Sequence, residues 1–326
     1  MKNILVKSGV GQLDCFKGQK FPYFEAYTTG EEDLNLLLNT EMKLISLHMP
    51  STVSVEGKRY PTNFCDAGPV GEASFKKLQE YLDFSQKNKV SNIIVHLGFF
   101  NSFTEDRYAI LERTAKLFSR LETGNVRICI ENIPCWTNIS FENEPIISSA
   151  EHFIHFQKTF PWAGATFDVD HHAINTVFQQ FYALFKQRYK EFPDKDKFKS
   201  LMEEEMVQAT NKDPLRFKKL VEKGVVSYLS KITPTTIQAA GSDYCNYLLK
   251  GRLPLVGEEL PLGYEGIIES YHVEDRLDHS SWISHLKNMQ PLPFITIETA
   301  IREEYDHLAE VRRSYEWLVK ELGGTS

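Results

Sequence analysis

A chain of 326 residues, 42% hydrophobic and 25% charged, is long enough for one large α/β domain or two small ones and excludes a low-complexity or disordered class. Its net charge of −7 argues against the broad basic footprint with which nucleic-acid binders release counterions, while leaving room for a local basic groove. Five cysteines, at 15, 65, 129, 135 and 245, show no paired spacing and leave an odd one over, which predicts reduced thiols in a cytoplasmic protein. The amino-terminal run Met1 to Lys7 is too soon interrupted for a signal peptide, and no stretch is long enough to span a bilayer, so a soluble chain without a membrane partner is expected.

In chain order, Ile4 to Val10 predicts a first strand and Phe21 to Tyr27 a second, with Pro22 at its start where no ladder donor is needed. Thr28-Thr29-Gly30 turns the chain into a helix over Glu31 to Leu38, acidic at its N-terminus as the macrodipole favours. Lys43 to Leu47 is a third strand that runs into His48. The loop that follows, of about 20 residues with Pro50, Pro61 and Pro69, is long for a connection and is a candidate substrate loop. A helix with Phe75, Leu78, Tyr81 and Leu82 on one face comes next. Asn92 to Val95 ends in His96-Leu97-Gly98, followed by the aromatic run Phe99 to Phe103, which either stacks a ligand ring or plugs the rim, with the plug favoured. Thr104 to Arg107 opens a helix, and Val126 to Ile130 ends at Glu131-Asn132. On the amphipathic helix over Ser149 to Phe156, His152 and His155 mimic a metal pair, but their flanking phenylalanines assign them to packing.

Gly164 to Val169 reads as a buried strand that ends in Asp168, Asp170, His171 and His172. Strand interiors do not tolerate such charge, so these side chains belong at the strand's carboxyl mouth. The stretch from His172 to about Glu265 is roughly three times the length of an ordinary strand-to-strand unit. It predicts a helix over Thr176 to Phe192, then an insertion over about 190–265 that folds across the rim as a lid or an interaction arm. Gly266 to Tyr271 is read as the next strand, ending at His272, with Asp278 and His279 on the loop beyond it. Pro293 to Ile297 ends at Glu298, and a helix over Glu303 to Glu321 closes the chain.

Eight strands with helices between them predict a single (β/α)8 TIM barrel over 1–326 with a helical insertion after the sixth strand. In that fold every strand's C-terminal end faces one rim, so the ionisable strand ends converge. Imidazoles and carboxylates gathered there are the usual ligands of a divalent metal of the zinc, manganese or iron type.

The series His48, His96-Leu-Gly, Glu131-Asn, Asp168-x-x-His171, His272-x-x-Asp275, Asp278-His279 and Glu298 resembles the endonuclease IV and xylose isomerase-like barrel superfamily, which includes AP endonuclease family 2. The pair His171-His172 with Val95-His96-Leu97-Gly98 is also similar to the UV damage endonucleases. In the endonuclease branch the resemblance implies up to three metals. One would be held by His48, His96 and Glu131, one by Glu131, Asp168, His272 and Glu298, and one by His171 with Asp278 and His279. The sugar isomerase and epimerase branch keeps the second of these alone and uses Glu131 and Glu298 as its acid/base pair. Asp278 and His279 are adjacent where endonuclease IV has one residue between them, and Ser270-Tyr271 stand where UV damage endonucleases have a lysine. The resemblance thus implies one to three divalent ions per chain. Catalysis would involve Glu131, Glu298 and Asp168, acting on a small phosphorylated or sugar substrate or on damaged DNA. His48 and His96 discriminate the branches, because a multinuclear hydrolase needs both as ligands and an isomerase needs neither. Their joint presence favours phosphoester hydrolysis over isomerisation.

Overall fold

The computed structural model describes residues 3–135, 142–240, 279–299 and 306–323. Strand β1 (Ile4–Ser8) leads through a 3-10 turn over Val10–Phe16 to β2 (Tyr23–Tyr27), and a second 3-10 turn over Leu34–Leu38 leads to β3 (Lys43–His48). A hairpin of β4 (Thr52–Val55) and β5 (Lys58–Pro61) precedes α1 (Pro69–Asn88) and β6 (Asn92–Val95). Then come β7 (Phe99–Asn101), α2 (Arg107–Phe118), β8 (Arg127–Glu131), β9 (Asn143–Pro145) and α3 (Ala150–Thr159). After β10 (Gly164–Asp168), helices α4 (Val169–Gln179), α5 (Tyr182–Glu191), α6 (Lys195–Lys212) and α7 (Pro214–Lys231) run before β11 (Thr236–Ala239). The last described elements are α8 (Ser280–Lys287), β12 (Phe294–Ile297) and α9 (His307–Glu321). None of the described helices is long and apolar enough to cross a membrane.

Eight strands pair in parallel in the closed order β1-β12-β11-β10-β8-β6-β3-β2, the (β/α)8 barrel that the strand pattern predicts. Side chains alternate across each strand. Ile4 and Val6 of β1, Ile128 and Ile130 of β8, and Ile295 and Ile297 of β12 join the apolar shell under the helices. The alternate register points into the lumen and is polar: Glu25, Ser46, Asn92, Thr166, Thr236, Gln238 and Thr296 are all buried there. These side chains pair across strands, as buried polar groups generally do, although Gln238 Oε1 has no partner. Asn92 Nδ2 donates to Ser46 Oγ (3.2 Å), the Thr166 and Thr236 hydroxyls bond at 2.6 Å, and Gln238 Nε2 and Thr296 Oγ1 each donate to Glu25 at 2.9 Å.

Three expectations are corrected. The segment after β2 forms a five-residue 3-10 turn capped by Asp33 instead of a helix over Glu31 to Leu38, because its acidic start lies outside the turn and too few residues remain to propagate an α-helix. The helix expected over Thr176 to Phe192 is two, and the first begins at Val169, directly on the strand end, with Asp168 as its N-cap. The seventh barrel strand is Thr236–Ala239, between β10 and β12, and not Gly266 to Tyr271. This four-residue strand carries a buried Gln238 that finds its partner only across the lumen, so no apolar run marks it in the sequence. The expected insertion over about 190–265 therefore contains a barrel strand, and the helical addition ends before it. Residues 241–278, with the strand expected at 266–271, lie outside the described residues.

Candidate metal centre

The carboxyl mouth gathers His48 from the end of β3, His96 just past β6, Glu131 from the end of β8, and Asp168 and His171 from the junction of β10 with α4. Glu131, 1% exposed, is the hub: His48 Nε2 lies 3.0 Å from its Oε2, while His96 Nε2 and His171 Nδ1 lie 3.0 and 3.1 Å from its Oε1. Two sets of donor atoms converge tightly enough to hold one ion each, His48 with His96 and Glu131, and Glu131 with Asp168 and His171. Glu131 belongs to both.

Local structure explains the convergence. Asp168 closes β10 in the lumen register and also caps α4, its Oδ1 accepting from the His171 backbone N–H at 2.7 Å. That cap sets His171 one turn into the helix, on the side of the mouth. Asn132 clamps the two strand ends, accepting from Asp168 N (2.9 Å) and donating to Asp168 O (3.0 Å). Asn175, buried on α4, accepts from Cys135 N at 2.6 Å and donates to Ile133 O at 3.0 Å, which fastens the chain beyond Glu131. At Gly98 the backbone adopts φ +105° and a Cβ would lie 2.3 Å from Asn63 Oδ1, so only glycine lets the turn after His96 press against that side chain.

The hydrogen-bond partners fix the tautomers. A carbonyl oxygen can only accept, so the Nδ1 atoms of His48 and His171, 2.8 Å from Met49 O and 2.9 Å from Asn132 O, carry protons. Neutral His48 then turns an Nε2 lone pair towards the Glu131 carboxylate, an arrangement that is repulsive unless a proton or a cation lies between them. His96 Nε2 is buried and, despite its 3.0 Å approach to Oε1, is not aligned for a hydrogen bond. Nitrogen lone pairs and carboxylate oxygens converging in this way fit a divalent ion of the zinc or manganese type.

Electrostatics agree. Burial alone would push the Glu131 carboxyl up, but the surrounding His96, His171 and His48 hold it well below the usual range. Burial pushes the Asp168 carboxyl up to about 6, with His171 opposing and Glu131 adding to the rise. Burial also depresses His96, against the pull of Glu131.

The remaining expected site residues are placed as follows. Glu298, just past β12, is 3% exposed and forms an ion pair with Lys7 of β1. It belongs to neither three-residue set. His279 caps α8; its Nδ1 accepts from Trp282 Nε1 at 2.8 Å and its ring packs edge-on to Trp317, and it too belongs to neither set. His272 and Asp278 lie outside the described residues. His172 is directed away from the mouth, against Phe167 and Tyr228, where burial pushes it down to about 4. His152 and His155 pack against Tyr108, as their apolar neighbours predict. Sequence reasoning missed Lys7 and Glu25. The available signal was a charged residue at an alternate position of a short, otherwise apolar strand.

No family model matches this chain, and no curated protein matches it. Among solved structures it is similar to a D-tagatose 3-epimerase-like protein, at 13% identity and TM-score 0.60 over 98% of this chain and 97% of that one. It is similar to endonuclease IV from Thermus thermophilus, at 11% identity and TM-score 0.51 over 98% and 99%. It is also similar to the IOLI protein with a binding zinc atom, at 10% identity and TM-score 0.54 over 98% of each chain. At such identities the likeness carries the fold: the chain has the barrel shared by xylose isomerase-like proteins and endonuclease IV.

Proposed function

We propose that the protein is a metal-dependent hydrolase of phosphoesters, with two neighbouring divalent ions held at the barrel mouth. The observation that supports this reading is that Glu131 is common to two sets of ligand atoms, one of them built from both His48 and His96. A single-metal centre has no use for the His48–His96 pair as ligands. Divalent ions there would act as Lewis acids towards a phosphoryl oxygen and lower the pKa of an attacking water. The chain's own residues do the rest. Glu131, held ionised and enclosed by three imidazoles, is a ligand and not a free base. Asp168, in the second set with His171, is likewise a ligand, its Oδ1 aimed by the His171 backbone N–H. The bond from His48 Nδ1 to Met49 O holds that ring in the tautomer whose Nε2 lone pair faces Glu131, whereas His171 faces Glu131 with the Nδ1 that also bonds Asn132 O and would have to release that bond to ligate.

The second reading, a single-metal sugar isomerase or epimerase with Glu131 and Glu298 as its acid/base pair, is favoured by the placement of both carboxylates at the same mouth and by the epimerase-like fold neighbour. Metal content by elemental analysis, with rates on a small phosphodiester, abasic or nicked DNA and a panel of ketoses, separates the two for His48→Ala and His96→Ala. Under the hydrolase reading each variant loses metal and about three or more powers of ten in rate, since a bound metal contributes several kcal/mol to the transition state. Undiminished metal with ketose turnover in both variants sinks it and promotes the isomerase.

A further inference from the structure

A cavity of about 530 Å³ opens at the end of the barrel away from the metal centre, where β8, β10 and β11 begin. Arg127 starts β8 and Gly164 starts β10, whereas Glu131 and Asp168 end the same strands, so about 13 Å of strand separates the cavity from the ligand cluster. Phe153 and Phe160, both buried, supply apolar lining. Trp162 also lines the cavity, and at 79% it is the most exposed large apolar side chain among the described residues. Among those residues nothing stacks on its ring or accepts from its indole N–H. The strand beginnings of such a barrel ordinarily serve stability, which gives no use to a tryptophan held out into water.

Arg127 supplies the charge. A Cβ at Gly164 would lie 2.9 Å from Arg127 Cδ and 2.6 Å from Thr235 Oγ1, so the bare glycine is what lets the arginine side chain cross the start of β10. There its Nη1 donates to Thr235 Oγ1 at 3.4 Å, and no carboxylate among the described residues pairs with it. The other cation of the lining, Lys231, is committed to Glu151 at 2.5 Å. A guanidinium carries its N–H donors in a planar fork, so most of them remain for a group that accepts two at once, as carboxylates and phosphates do. We propose that this cavity is a second ligand site, for an aromatic anion whose planar ring lies against the Trp162 indole and whose phosphate or carboxylate is held by the Arg127 fork. Its volume falls within the roughly 300–1,000 Å³ of small-molecule sites, and like them it combines apolar lining with a few polar groups. A ring without the anion leaves the fork unused, and an anion without the ring leaves the indole in water. The site stands independently of the hydrolase reading.

The test titrates the full-length protein with adenosine monophosphate and with an aryl carboxylate, indole acetate, read by calorimetry and by tryptophan fluorescence. Adenosine and ribose phosphate, which keep the ring or the anion alone, are the controls. The same titrations in His48→Ala separate this cavity from phosphate binding at the metal centre. We expect at least one of the aromatic anions to bind about tenfold or more tightly than either fragment, in the parent and in His48→Ala alike. Arg127→Gln and Trp162→Ala each lower that affinity about tenfold or more, and Arg127→Lys restores part of it, while metal content and circular dichroism stay those of the parent. In Trp162→Phe calorimetry still records binding but the fluorescence change is lost. Tighter binding of the monophosphate identifies the anion as a phosphate, and of indole acetate as a carboxylate. Binding that is lost in His48→Ala and kept in Arg127→Gln overturns the proposal, because the ligand then sits at the metal centre. Failure of both anions to bind the parent, or unchanged affinity in the Arg127 and Trp162 variants, overturns it as well.

Discussion

His152 shows how a side chain whose spacing mimics a metal ligand takes a different role from its neighbours. Its Nδ1 accepts from Ser148 N at 3.3 Å, and Arg107 Nη1 approaches the ring to 2.9 Å, so the neutral imidazole is an acceptor facing a guanidinium. Burial, then the Arg107 charge, pushes it down to about 3, with Glu151 and Glu144 opposing and His155 adding a little. The ordinary value, about 6.5, applies in the unfolded chain. Between those values the unfolded chain binds a proton that the folded one refuses. The His152 contribution is thus intact above about pH 6.5 and lost as the pH falls towards 3. His152→Gln keeps an acceptor for Ser148 and Arg107 but does not titrate. Urea unfolding at pH 7 and pH 5 is expected to show a loss of stability on acidification that is smaller in the variant by about 1–2 kcal/mol. An equal loss in both proteins would assign acid lability to other groups.

Between elements, a similar network joins the rim to the added helices. Glu144 of β9 accepts from Arg107 of α2 at 2.7 Å and from Lys186 of α5 at 2.9 Å, and it also bonds the Tyr182 hydroxyl. Burial pushes its carboxyl up, but hydrogen bonds from Ser102, Tyr182 and Lys186, with the Lys186 charge, hold it below the usual range. Glu144→Ala leaves two partly buried cations without their shared anion, which predicts a loss of about 3–5 kcal/mol in urea unfolding. A loss below about 1 kcal/mol would mean that water replaces the carboxylate there and that the network is a surface one. Nothing in the sequence signals this cluster, because its members are 37 and 42 residues apart from Glu144 and meet only in the fold. Local rules were legible by contrast. Asp106 caps the helix expected to open at Thr104 to Arg107, and the strands ending at His48, Glu131 and Asp168 stop where their charged residues begin, but the Asp168 cap starts its helix ahead of the expected Thr176 and the Asp306 cap starts the last helix after the expected Glu303. The convergence of His48, His96, Glu131, Asp168 and His171 could be read from strand ends alone, since a parallel barrel brings those ends to one rim. The Lys7–Glu298 pair could not, since it depends on the register in which the first and last strands meet at the seam.

For the whole molecule the open question is which of the added helices belong to the barrel. Length alone suggests that everything between the sixth and seventh strands is an appendage, but packing divides it. Tyr228 of α7 stacks on Phe167 of β10 with ring centroids 4.3 Å apart, and a Cβ at Gly224 would lie 2.7 Å from His172 on α4. Helix α7 is therefore part of the shell that covers β10. Helix α6 instead buries Phe198 against Phe185, Tyr189 and Phe192 of the same helical addition, with Met202 and Met206 also buried. Two excisions follow, each closed by a short Gly/Ser bridge. Removing residues 194–213 should leave a folded, metal-binding barrel of lower melting temperature, since side chains such as Phe185 lose cover worth roughly 1.5–3 kcal/mol each. Its newly exposed apolar face should bind a hydrophobic dye. Extending the excision to residue 224 removes Phe217, Val221 and the close contact at His172, and it cuts away the first half of the helix whose Tyr228 stacks on the strand that carries Asp168. That protein should lose its cooperative thermal transition and its metal together. If circular dichroism and elemental analysis found the longer excision as well folded and as fully metallated as the shorter, α7 would be an appendage too, and the shell over β10 would have to be completed by α4 alone.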